Sequence, residues 1–88
     1  MKHAAHPEIA KRLKRAEGHL RTVQSMLVAD RPCLDIAQQL HAVEQALANA
    51  KKALIGDHID HCLEEGVAKG GTASRAALAE MKALAKYL

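Results

Sequence analysis

The stretch Cys33–Cys62, CLDIAQQLHAVEQALANAKKALIGDHIDHC, decides the fold. Ile36, Leu40, Val43, Leu47, Ala50 and Leu54 recur at steps of four and three, the pattern of one face of a long amphipathic helix. No proline interrupts it. Its single glycine, Gly56, costs about 1 kcal/mol against alanine, which weakens the last turns without ending them. The two cysteines of the chain stand at the ends of the stretch, and His58 and His61 fall just before the second.

On a helix His58 and Cys62 share a face, one turn apart. An imidazole and a thiolate at that spacing can hold one soft or borderline metal ion. Two ligands make a weak site, and Cys33 continues the same seam. Along a continuous helix, however, the 25 positions from Cys33 to His58 span about 37 Å. A second copy packed antiparallel would place its Cys33 beside the first copy's His58 and Cys62, giving two equivalent sites per two-fold dimer. The bland alternative is that both cysteines are small buried hydrophobes.

Upstream, Ile9, Leu13, Ala16, Leu20, Val23 and Leu27 repeat the same steps, which predicts a first helix from about Pro7 to residue 28. Asp30-Arg31-Pro32 breaks it, and so short a break favours an antiparallel helical hairpin. Residues 1–6, MKHAAH, read as a flexible arm carrying His3 and His6. Downstream, Glu64-Glu65-Gly66 is expected to end the second helix. Residues 66–72 are expected to form a glycine-rich linker, and Ser74 to cap a short third helix over Arg75–Tyr87. No alternating stretch supports a strand, so the expected class is all-α, with three helices in one domain over residues 1–88.

With 88 residues, one Tyr and neither Phe nor Trp, a monomer has little with which to build a core, and oligomerisation is the expected remedy. Two cysteines without a disulfide framework fit a reducing cytoplasm, and no apolar run approaches membrane-spanning length. The formal charge of +3 is mild, but Lys11, Arg12, Lys14, Arg15 and Arg21 crowd one stretch with Glu17 the single acid, and Lys51 and Lys52 add to the second helix. Such a surface can neutralise DNA phosphates, although taken alone it favours the reading of a solvated helix face. No recognition-helix signature, phosphate-binding glycine loop or serine elbow is present, and no orienting group accompanies Cys33, so an enzyme is not expected.

RLKRAEGHLR, RPCLDIAQQLHAV and DHIDHCLE together resemble the CsoR/RcnR family of copper- and nickel-sensing repressors over residues 7–65. The resemblance implies an antiparallel bundle dimer, usually paired into a tetramer, which represses metal-efflux genes and releases operator DNA when metal binds. It implies a site formed by Cys33 of one subunit with His58 and Cys62 of the other. Copper-sensing members usually carry Tyr where this chain has Pro32, and the family often carries Arg where this chain has Glu44. The second departure moves DNA contact onto Lys11 to Arg21, Lys51 and Lys52. Nickel and cobalt sensors draw a ligand from the N-terminal arm, where this chain offers His3 and His6 outside strict register.

The expected effector is therefore Ni(II) or Co(II). The alternatives are Cu(I), for which two thiolates and one imidazole suffice, a thiol- or formaldehyde-responsive repressor, and a metal buffer that binds no DNA. His61, three residues after His58, is expected to support the ligands rather than to bind metal.

Overall fold

The computed structural model describes residues 4–69 and 71–88. Among them are three helices and no strand: α1 (His6–Val28), α2 (Cys33–Lys69) and α3 (Gly71–Ala85). The all-α expectation holds. No described helix is long and apolar enough to cross a membrane. The described chain forms two compact units, one of residues 6–50 and one of Lys51–Leu88 with Ala4 and Ala5.

The first unit is an antiparallel hairpin of α1 against the first half of α2. His19 Nε2 lies 2.7 Å from Gln39 Oε1, while Arg12 and Arg15, earlier on α1, face Ala46 and Asn49, later on α2. Each apolar seam expected from the sequence proves to be two rows at steps of seven. Ile9, Ala16 and Val23 on α1 and Val43 and Ala50 on α2 are buried and close the hairpin. Leu13, Leu20 and Leu27 on α1 and Leu40, Leu47 and Leu54 on α2 remain between 41% and 60% exposed. Ala16 and Ala50 are small, which lets the two helix backbones approach closely, and the bulkier leucines are turned outward.

The connection is built by local hydrogen bonds. The Arg31 amide donates to Met26 O at 3.0 Å and the Asp30 amide to Leu27 O at 3.2 Å, the paired bonds of a Schellman ending. Asp30 takes the left-handed position with φ of 56°, which glycine usually occupies. The Ile36 amide donates to Pro32 O at 3.1 Å, so Pro32 caps α2 and Cys33 is its first helical residue. Removing the Cβ strain at residue 30 should outweigh the extra freedom of an unfolded glycine. Asp30→Gly is therefore expected to raise stability by roughly 0.5–1 kcal/mol, read by denaturant unfolding at fixed chain concentration.

The C-terminal expectations need correction. The second helix does not end at Glu64-Glu65-Gly66, and the described residues of the expected linker, 66–69 and 71–72, are helical: α2 runs on to Lys69 and α3 starts at Gly71. A lone internal glycine such as Gly66 costs about 1 kcal/mol, too little to end a helix, and no proline follows it. Gly56 is helical for the same reason, and a Cβ added there would meet nothing within 4 Å. Ser74 falls inside α3 rather than capping it, and α3 ends at Ala85 instead of Tyr87. At the other end, His6 already belongs to α1, while Ala4 and Ala5 form a turn.

Candidate metal centre

The second unit holds the donor-rich part of α2. His58 and Cys62 stand one turn apart, as their spacing requires, and Cys62 is buried at 5% exposure. From α3, Glu80 meets both. Its Oε1 lies 2.7 Å from His58 Nε2, and its Oε2 accepts from Cys62 Sγ at 3.7 Å. One ligand atom from each of the three residues can be chosen so that all lie within 4.8 Å of one another. Thiol, imidazole and carboxylate are together a donor set for a borderline divalent ion.

α3 is aimed by its own short seam. Ala77, Met81 and Leu84 are half-buried at steps of four and three, and Glu80 lies on the same side at step three from Ala77 and step four from Leu84. Sequence reading missed Glu80. Its place beside the seam was available in the residue spacing. Its partners, 18 and 22 positions earlier, depend on how α3 meets α2.

The remaining candidates are distributed as follows. Cys33 is exposed at the start of α2, carries a free thiol and lies in the other compact unit. His61 Nε2 is 3.8 Å from Asp57 Oδ1, and His61 is outside the three-residue group. His6 is exposed at the start of α1, and His3 lies outside the described residues.

The basic residues Lys11, Arg12, Lys14, Arg15, Arg21, Lys51 and Lys52 are all exposed. Arg12 and Arg15 line an open cavity of about 560 Å³ in the hairpin, together with Glu8, Ala16, His19, Ala46 and Asn49. Arg21 is engaged locally, its Nη2 lying 2.5 Å from Glu17 Oε1 one turn away. With both side chains more than half exposed, that pair contributes only a few tenths of a kcal/mol, but it offsets the Arg21 charge. The free positive face of α1 is thus concentrated toward Lys11–Arg15.

A family model described as metal-sensitive transcriptional repressor matches residues 5–87. The chain is 39% identical over 74 residues to the copper-sensing transcriptional repressor RicR of Mycobacterium tuberculosis (strain ATCC 25618 / H37Rv), across 84% of this chain and 77% of that protein. It is 41% identical over 63 residues to the copper-sensing transcriptional repressor CsoR of Bacillus subtilis (strain 168), across 72% of this chain and 62% of that protein. Among solved structures it resembles the nickel-responsive transcriptional regulator InrS, with a TM-score of 0.86 and 30% identity over 100% of this chain and 98% of the other.

Proposed function

Because the chain belongs to the metal-sensitive transcriptional repressor family, whose members are not enzymes, we propose that it binds operator DNA without metal and releases it when Ni(II) or Co(II) binds. The observation that carries the reading is the meeting of His58, Cys62 and Glu80 on adjoining helices. In this reading His58 and Cys62 of one copy and Cys33 of a second copy hold the ion. α2 is one uninterrupted helix of 37 residues, and Cys33 opens it about seven turns before His58. A second copy antiparallel to the first supplies the missing thiolate. The outward leucine rows on both helices give that copy an apolar surface to cover.

Nickel or cobalt is favoured by the histidines of the N-terminal segment, His3 and His6, which add nitrogen donors to the set, and by Pro32 before the first cysteine. It also accords with the likeness to a nickel-responsive regulator. The second reading is Cu(I), because both curated relatives named above are copper-sensing repressors and a two-thiolate, one-imidazole set suits that ion. DNA contact in either case falls to Lys11, Arg12, Lys14, Arg15, Lys51 and Lys52, whose charges can displace counterions from phosphates. Arg21, held by Glu17, contributes less.

A gel-shift titration on DNA upstream of the protein's own gene, with no metal, Ni(II), Co(II) or Cu(I), tests this. Metal-free protein should bind, and the effector should weaken binding by about 5–150-fold, the usual range of an allosteric coupling. Equal affinity with and without every ion would defeat the repressor mechanism. Release by Cu(I) alone would move the assignment to copper. Charge reversal at Lys14 or Arg15 should weaken binding and flatten its salt dependence.

A further inference from the structure

We propose that the cavity between α1 and α2 is a seat for one phosphate group, filled by the DNA backbone or, in competition with it, by free phosphate. The DNA half of this rests on the repressor reading, and the free-phosphate half stands without it. Glu8, Arg12, Arg15 and His19 follow at steps of four, three and four, so they share one side of α1. Ala46 and Asn49, three apart on α2, line the cavity from across the hairpin. Ala16 and Ala46 end at Cβ and leave the space between the helices open. Its volume of about 560 Å³ falls within the usual range of ligand clefts, about 300–1,000 Å³. His19 is half-buried, and its Nε2 is held 2.7 Å from Gln39 Oε1 of α2, so the ring is fixed from one end.

The two arginines of the cavity are without protein partners. Glu8 stands four residues before Arg12, the spacing at which a glutamate and an arginine pair along a helix. Glu17 and Arg21 have that spacing and do pair. Glu8 and Arg12 do not, and among the described residues no carboxylate lies within ion-pair distance of Arg12 or Arg15. The Asn49 amide has no hydrogen-bond partner either. Two guanidiniums and an amide therefore line one cavity with their donors unused. A gap that merely separated two alanines would gain nothing from leaving the Glu8–Arg12 pair unmade.

Charge and shape both select phosphate. Two guanidiniums against one carboxylate leave a net single positive charge, +2 − 1 = +1, which balances the one negative charge of a phosphodiester. A planar carboxylate satisfies one guanidinium fork. A tetrahedral phosphate has oxygens enough for two forks and the Asn49 amide at once. Free phosphate, which approaches two negative charges near neutral pH, meets repulsion from Glu8 and fills the seat more weakly than the backbone does. Free phosphate should then weaken DNA binding by more than its ionic strength explains, an input independent of the metal.

Full-length wild type, Asn49→Asp and Gln45→Glu test this by gel shift without metal, on DNA upstream of the protein's own gene, in potassium phosphate and in potassium chloride of equal ionic strength. Both variants exchange an exposed amide for a carboxylate, one turn apart on α2, but Gln45 does not line the cavity. Asn49→Asp should weaken DNA binding by about tenfold or more, and Gln45→Glu by no more than about threefold. Phosphate should weaken wild-type binding further than chloride does, and should lose that excess in Asn49→Asp. A selective loss in Asn49→Asp with no excess effect of phosphate supports the seat and makes the DNA backbone its sole occupant. Equal losses in the two variants without a phosphate excess overturn the proposal, and so does a phosphate excess that survives Asn49→Asp. Failure of the repressor reading looks different, since wild-type protein would then shift no DNA. Calorimetric titration with inorganic phosphate judges the seat in that case: binding heat that Asn49→Asp abolishes supports it, and no heat in the wild type overturns it.

Discussion

Mixing a Cys33→Ala chain with a His58→Ala/Cys62→Ala chain should restore metal binding that neither variant has alone. In the mixed dimer, His58 and Cys62 of the first chain face Cys33 of the second, so one of its two sites is intact and the other lacks Cys33, His58 and Cys62. The effect is large because each separate variant lacks at least one thiolate at every site, whereas the mixed dimer has one site with both thiolates and the imidazole. It follows from the uninterrupted run of α2 from Cys33 to Lys69, which separates the two cysteines by about eight helical turns within one chain. Co(II) charge-transfer intensity after co-refolding reads the outcome. Intensity no greater than the sum of the separate variants would show that the ligands come from one chain, and would remove the antiparallel arrangement with it.

The parts of this molecule that could be read from residues are those set by local periodicity. The steps of four and three along α1 and α2 placed both helices, and the Asp30-Arg31-Pro32 break placed the turn, where the Schellman bonds at Asp30 and Arg31 are found. His58 and Cys62 share a face because any helix puts residues four apart together. The failures have a common origin in packing between distant segments. Gly66 looked like a stop, yet a penalty near 1 kcal/mol is easily exceeded by tertiary contacts, and the helix continues. Glu80 could be placed beside the α3 seam but not against His58 and Cys62, since that contact depends on the angle at which α3 returns to α2. The apolar seams were visible as single stripes. Their division into an inner row around Ala16 and Ala50 and an outer leucine row depends on which side chains let the hairpin close.

That outer row carries the second large expectation. Replacing Leu47 with Asp should dissociate the protein to monomers and lower its helix content. Leu47 sits mid-row between Leu40 and Leu54 and is 45% exposed in a single chain. Covering half a leucine contributes about 1 kcal/mol, and six such residues per chain amount to roughly 6 kcal/mol for each copy before ordering losses. An aspartate there removes apolar contact and places a charge in the seam. In a two-fold assembly each substitution acts twice, so the loss is about double that of a single truncation, on the order of 4–10 kcal/mol. A hairpin closed by residues no larger than Ile9, Val23 and Val43 has little core of its own to survive on. Lys52→Asp, on the opposite and exposed side of the same helix, introduces the same side chain without touching the row and should leave the assembly intact. Sedimentation at micromolar concentration with circular dichroism separates the two cases. A Leu47→Asp protein of unchanged mass and helicity would mean that the leucine rows face solvent in the functional protein. The second copy would then have to supply Cys33 through some other surface.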